Sequence, residues 1–169
     1  KGLLIAAIND PNPVLFFEHK ALYRSISGQV PEEYNEVEIG KAKHVKEGQD
    51  ISIITYGAGV HWAIEYAEKN KKISVDIVDL RSLLPLDYDA LQQAVSRTGK
   101  ILVLHEDTLT GGIGGEIAAW ISEHCFDKLD APVMRCASLD TPIPFNLDLE
   151  KNFMAYSRLG QKIEQLMSY

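Results

Sequence analysis

The chain begins with an apolar run, "GLLIAAI", and then loses its rhythm until about residue 49. The opening run is too short to cross a membrane. Its place before the turn "NDPNP" reads as the end of a helix that belongs to a preceding domain, with residues 1–24 as its tail. "PVLFFE" (residues 13–18) has the aromatic, apolar character of a strand behind that turn. Residues 25–48 are polar and broken by Gly and Pro, which predicts a linker carrying one short strand at 36–39.

From residue 49 onward the pattern becomes regular. "ISIITY" (51–56), "ISVDIVDL" (73–80), "KILVLHE" (100–106) and "APVMRCA" (131–137) are continuous apolar runs bounded by turn residues, the signature of strands covered on both faces. Between them lie helical stripes. Val60, Ala63, Ile64 and Ala67 recur at i, i+3, i+4 and i+7, Ile113, Ile117, Trp120, Ile121 and His124 mark another stripe, and Leu159, Ile163 and Leu166 a last one. Asp87 is placed to cap a helix over 87–95. Alternating strands and helices predict βαβ units. The expected fold is therefore α/β, a three-layer sandwich with a mostly parallel sheet over residues 49–169.

Charge narrows the partners. The net charge of −7 over 169 residues argues against a broad nucleic-acid footprint and favours a basic partner. Cys125 and Cys136 lack metal-ligand spacing and read as buried thiols.

The most suggestive chemistry lies in "HEDTLTGGIGGEI" (105–117). A glycine-rich turn between a strand and a helix can cradle phosphate. Here the spacing misses G-x-G-x-x-G at Ile117, no G-x-x-x-x-G-K-[ST] follows, and Glu106, Asp107 and Glu116 would repel an anion. The plainer reading is close helix–strand contact that only Gly allows. A third reading is partner binding or gating at the C-terminal edge of a parallel sheet. His105 and Glu106 end a strand and are candidates for acid–base work, with a hydrogen-bonding spacer as the plainer role for His105. Asp79 and Arg81 read as a structural ion pair. Asp10 and Asn12 fit an Asx-type turn, and their oxygens, with carbonyls at the helix end, could also hold a hard cation.

Five stretches occur in order that together resemble one family: "KGLLIAAINDPNPVLFFEHKALYR", "VPEEYNEVEIGKAKHVKEGQDISIITYGAGVHWAIE", "VDIVDLRSLLPLDYDAL", "TGKILVLHEDTLTGGIGGEIAAWI" and "LDAPVMRCASLDTPIPF". They are similar to the β subunit, or β half, of thiamine-diphosphate-dependent 2-oxoacid dehydrogenases. "FFEHKALYR" and "HEDTLTGG" most resemble the branched-chain (2-oxoisovalerate) type, with pyruvate and acetoin types as relatives. The resemblance implies the transketolase C-terminal domain plus the end of a pyrimidine-binding domain. It also implies that the intact enzyme is an acyl-transferring oxidoreductase of branched-chain amino acid catabolism.

Thiamine diphosphate and magnesium would be held outside this chain, so the piece alone is expected to be inactive. The carbonyl of Ala7 and the side chains of Asp10 and Asn12 match the family's potassium turn. Asp130 and the terminal Tyr169 match positions that receive basic side chains from the subunit-binding domain of the dihydrolipoyl acyltransferase. The implied partners are that domain, an α subunit or α half and a second β copy, with no nucleic acid and no membrane, in a bacterial-type cytoplasm. Other transketolase-like enzymes and a free-standing α/β ligand-binding module are the rival readings. They differ in whether the family signatures or a ligand at the sheet's switch point carry the function.

Overall fold

β2 (Ile51–Thr55) is buried at every position, as a strand must be when helices cover both faces of its sheet. The computed structural model describes residues 1–169. It places five strands in the order β1-β3-β2-β4-β5. β3 (Val75–Asp79), β4 (Ile101–Thr108) and β5 (Met134–Ser138) run parallel with β2. β1 (Lys43–Lys46) pairs antiparallel with β3 at the edge, with a register shift between His44 and Lys46.

Alternate side chains of the strands feed two cores, which makes three layers. On one face, Ile51, Ile53, Leu102 and Leu104 pack against α3 (Ala58–Lys69) through Ala63 and Ala67. The same face meets α7 (Leu159–Met167) through Leu159, Ile163 and Leu166. On the other, Ile54, Val78 and Val103 meet Leu91, Ala94 and Val95 of α4 (Tyr88–Thr98). Ile117 and Ile121 of α5 (Gly114–His124) complete that side. The expected stripes therefore face the sheet, and the Asp87 carboxylate caps α4 by accepting the Ala90 N–H. In the α5 stripe Trp120 is half-buried, whereas His124 is exposed and stacks on the Trp120 ring, centroids 4.5 Å apart, without facing the sheet. Cys125 and Cys136 are both buried free thiols, and burial holds the Cys136 thiol up at about 11.

Three local expectations are corrected. Residues 13–18 form no strand: they are exposed, and no other strand pairs with them. No strand forms at 36–39 either. The extra strand is β1, four residues later, whose Lys-rich sequence suits an edge that must not recruit another chain. Asp79 and Arg81 make no side-chain ion pair. Instead the Arg81 N–H donates to Asp79 Oδ1 at 3.1 Å, closing a turn in which Arg81 has φ 56°. α1 (Gly2–Asn9) is the short opening helix. Two further helices lie outside the predicted pattern, α2 (Leu22–Ser25) and α6 (Leu147–Phe153).

Candidate functional site at the two edges of the sheet

β4 delivers His105 to the C-terminal edge of the sheet, where its side chain is fully buried. Neither ring nitrogen has a hydrogen-bond partner. The glycine-rich turn closes over the ring from both sides. A Cβ on Gly112 would lie 2.6 Å from His105 Cε1, and one on Gly114 2.6 Å from Cδ2. The turn therefore serves contact between the start of α5 and the end of β4. Glu116 in the first turn of α5 places negative charge where a diphosphate would need to sit.

Burial pushes the His105 imidazole below its usual value, and the Asp107 carboxylate only partly offsets this. A depressed histidine keeps the folded state neutral. As pH falls through the unfolded value of about 6.5, the unfolded chain takes up the proton first, so stability is lost toward acid. Replacing His105 by Leu is expected to flatten the fall in melting temperature between pH 7.5 and 5.5. Equal slopes in thermal scans of wild type and variant would refute this.

Glu106 points the other way and is accessible. Its Oε2 lies 2.9 Å from His19 Nε2, tying the N-terminal segment to the sheet edge. The Tyr56 phenol, at the end of β2, is held above its ordinary value by burial and then by Asp107 and Glu106. It stays a protonated donor beside the two carboxylates. Thr55 and Ser138, at the ends of β2 and β5, are also buried with unpartnered hydroxyls. The one hydroxyl bonded to a carboxylate at this edge is that of Thr110, which donates to Asp140 Oδ2 at 2.7 Å while the Thr110 N–H donates to Oδ1 at 2.8 Å, a pairing that pins the turn to the end of β5. His105 and Glu106 are adjacent in sequence yet sit in opposite environments, so they do not form an acid–base pair.

The turn after α1 is ordered by its own side chains. Asp10 Oδ1 accepts the Asn12 backbone N–H at 2.8 Å and its Nδ2 at 3.1 Å. The helical partner of the Ala7 carbonyl would be residue 11, which is Pro and has no N–H to give. Ala7 O, Asp10 Oδ2 and Asn12 Oδ1 thus remain as unengaged oxygens on one turn.

At the opposite edge, Asp130 precedes β5. Its backbone N–H donates to the carbonyl of Gly99 at 2.9 Å, and its carboxylate is exposed. Gly99 ends α4 with φ 64°. A Cβ there would meet Asp130 Cγ at 2.7 Å, so the α4 cap fixes where that carboxylate stands. Tyr169 follows α7 and is 63% exposed. Arg158, just before α7, donates to the Ala137 carbonyl near the end of β5 at 2.9 Å. α7 therefore runs back toward the start of β5, and Met167 at its end packs on the same core as Met134. Tyr169 and Asp130 therefore both lie toward the end of the sheet where β5 starts.

Sequence reading missed a third group. Asp76, mid-strand in β3, is fully buried. Its Oδ1 receives Arg97 Nη1 at 2.8 Å and lies 2.5 Å from His44 Nε2, while Oδ2 accepts the Ser52 hydroxyl at 2.9 Å. The signal was available, since an acid in the middle of a doubly covered strand must be paired.

The pattern matches known proteins. Residues 40–157 match the family model described as "Transketolase, C-terminal domain". The chain is 52% identical over 157 residues to "2-oxoisovalerate dehydrogenase subunit beta" of Bacillus subtilis (strain 168), covering 91% of this chain and 48% of that one. It is 46% identical to "Pyruvate dehydrogenase E1 component subunit beta" of the same organism, covering 86% and 46%. Among solved structures, "Split gene transketolase, inactive beta4 tetramer" aligns with a TM-score of 0.66 at 25% identity, covering 82% of this chain and 46% of that one. The chain spans about half the length of the curated relatives it matches. It belongs to the transketolase C-terminal domain family.

Proposed function

We propose that the chain is the C-terminal domain of the β subunit of a thiamine-dependent 2-oxoacid dehydrogenase of the branched-chain type, and that it assembles and docks rather than catalyses. The observation that carries this is the distribution of uncovered apolar side chains. Leu15 is 84% exposed and Phe17 88%, Leu84 92% and Phe145 fully so. Such residues, together with the unpartnered buried polar atoms at the C-terminal edge, fit a surface completed by other chains. An α subunit and a second β copy are the partners that suit it. The branched-chain type rests on the 52% identity. The pyruvate type is the second reading and rests on the 46% relative.

The chain offers no cradle for thiamine diphosphate: Gly112 and Gly114 are spent on His105, and Glu116 opposes an anion. No chemical step is therefore assigned to it. The turn at Ala7, Asp10 and Asn12 supplies three hard oxygens suited to potassium. That number is short of a full shell, so any remaining ligands lie outside the turn.

The docking partner is the subunit-binding domain of the acyltransferase, whose basic side chains would meet the chain at Asp130 and Tyr169. Calorimetric titration of the chain with that domain should give salt-sensitive binding. Asp130→Ala, or removal of Tyr169, is expected to raise Kd about tenfold or more, the scale of a lost charge-assisted contact. Unchanged affinity in both variants would sink the docking role.

A further inference from the structure

The surface around Asp130 is not simply acidic. Asp130 lines an open hollow of about 620 Å³ with Lys128, Arg97, Gln49, Ser96, Thr98 and Gly99. Three charged groups face it, and they differ in how they are engaged. Arg97 is committed to the buried Asp76 carboxylate. The Asp130 carboxylate takes part in no ion pair and accepts no hydrogen bond. The Lys128 ammonium has only Ser96 Oγ, at 3.4 Å, and no carboxylate within ion-pair distance. Two opposite charges, two residues apart in sequence, thus line one hollow without neutralising each other or being neutralised. The positions are set by the fold: the Asp130 carboxylate packs over Gly99, in the space a Cβ there would fill, and Lys128 closes the short 3-10 helix Phe126–Lys128 that precedes it.

We infer that this hollow is a two-signed docking pocket, in which Asp130 takes a basic side chain of the partner and Lys128 takes an acidic one beside it. This rests on the docking reading above and goes beyond it. A purely acidic patch attracts a basic domain in many orientations. A fixed positive and negative pair accepts only the orientation in which the partner's charges alternate in the same sense, which is how charge arrangement gives specificity and register.

The two ideas predict opposite signs for one substitution. For a partner held by general attraction of basic to acidic, Lys128→Glu removes a repulsive charge and adds an attractive one, so binding should tighten. For a two-signed pocket the same change sets two carboxylates against the partner's acidic group, and Kd should rise about tenfold or more. Lys128 is exposed, so the variant keeps the fold, and a melting curve confirms it.

The test is calorimetric titration of the chain with the isolated subunit-binding domain at low salt, using wild type, Asp130→Ala, Lys128→Glu and Lys128→Arg. Weakening by Asp130→Ala and by Lys128→Glu, with Lys128→Arg close to wild type, is the expected result. Weakening by Asp130→Ala alone, with Lys128→Glu neutral or tighter, overturns the two-signed pocket and leaves docking intact. Absence of wild-type binding, or indifference to Asp130→Ala, overturns both.

Discussion

Removing Arg97 is expected to cost more stability than removing the carboxylate it pairs with. Asp76 is fully buried, whereas the Arg97 side chain is 28% exposed and that of His44 32%. In Arg97→Ala the charge left behind is the one water cannot reach; His44 and the Ser52 hydroxyl still contact it, so the loss should approach the about 3–5 kcal/mol of a fully stranded buried charge. In Asp76→Ala the partners left behind can turn to solvent, and the Ser52 hydroxyl still has the Ala94 carbonyl at 3.2 Å. That loss should be only about 1–2 kcal/mol, near the net worth of ordinary hydrogen bonds. The double variant should then be no less stable than Arg97→Ala alone, because deleting Asp76 removes the stranded charge. Urea unfolding of the three variants checks this. Additive losses would mean that Arg97 contributes through packing and not through Asp76.

The same group shows where sequence reading stops. The strands β2, β3 and β4 were legible because helices cover both their faces, which forces runs such as "ISIIT" and "ILVL" that little else explains. The stripes of α3 and α7 were legible because each needs one apolar face. β1 was not, since an edge strand with solvent on one side carries "KHVK" and has no apolar run to reveal it. "PVLFFE" misled for the converse reason. Its apolar residues suit an interface, and strand character needs a neighbouring strand that the chain does not place beside it. α6 is brief and preceded by Pro142 and Pro144, although Asn146 caps it by accepting the Asp148 and Leu149 N–H groups.

Chemistry was legible only where it was local. The Asp10–Asn12 turn and the Asp87 cap involve residues two or three apart. The Asp76 network joins residues from 44 to 97, and the Lys128–Asp130 hollow draws on three elements. Such groupings appear only once the register of β2 against β3 and the end of α4 are set. His105 lies between these cases. Its strand-end position was readable, but its enclosure depends on how the following turn folds back.

That enclosure makes the glycine turn the next most sensitive place in the domain. Gly114 opens α5, where Ala would ordinarily be better by about 0.5–1 kcal/mol through helix propensity. Here the added methyl would lie 2.6 Å from His105 Cδ2 and closer still to Nε2, with Val103 Cγ1 behind at 3.5 Å. The ring is fully buried and Gly112 approaches it at Cε1, so it must shift together with β4 or push α5 outward. Overpacking of this kind costs about 1–3 kcal/mol, which outweighs the propensity gain. Gly114→Ala should therefore destabilise the domain, against the usual direction for Gly→Ala at a helix start. Shortening the ring's position relieves the clash: in a His105→Ala background, Gly114→Ala should be neutral or stabilising. The sign reversal, measured by urea unfolding across the four members of the cycle, isolates contact with His105 as the reason for glycine. If Gly114→Ala destabilises equally in both backgrounds, the glycine is required by the backbone path of the turn and His105 is a bystander.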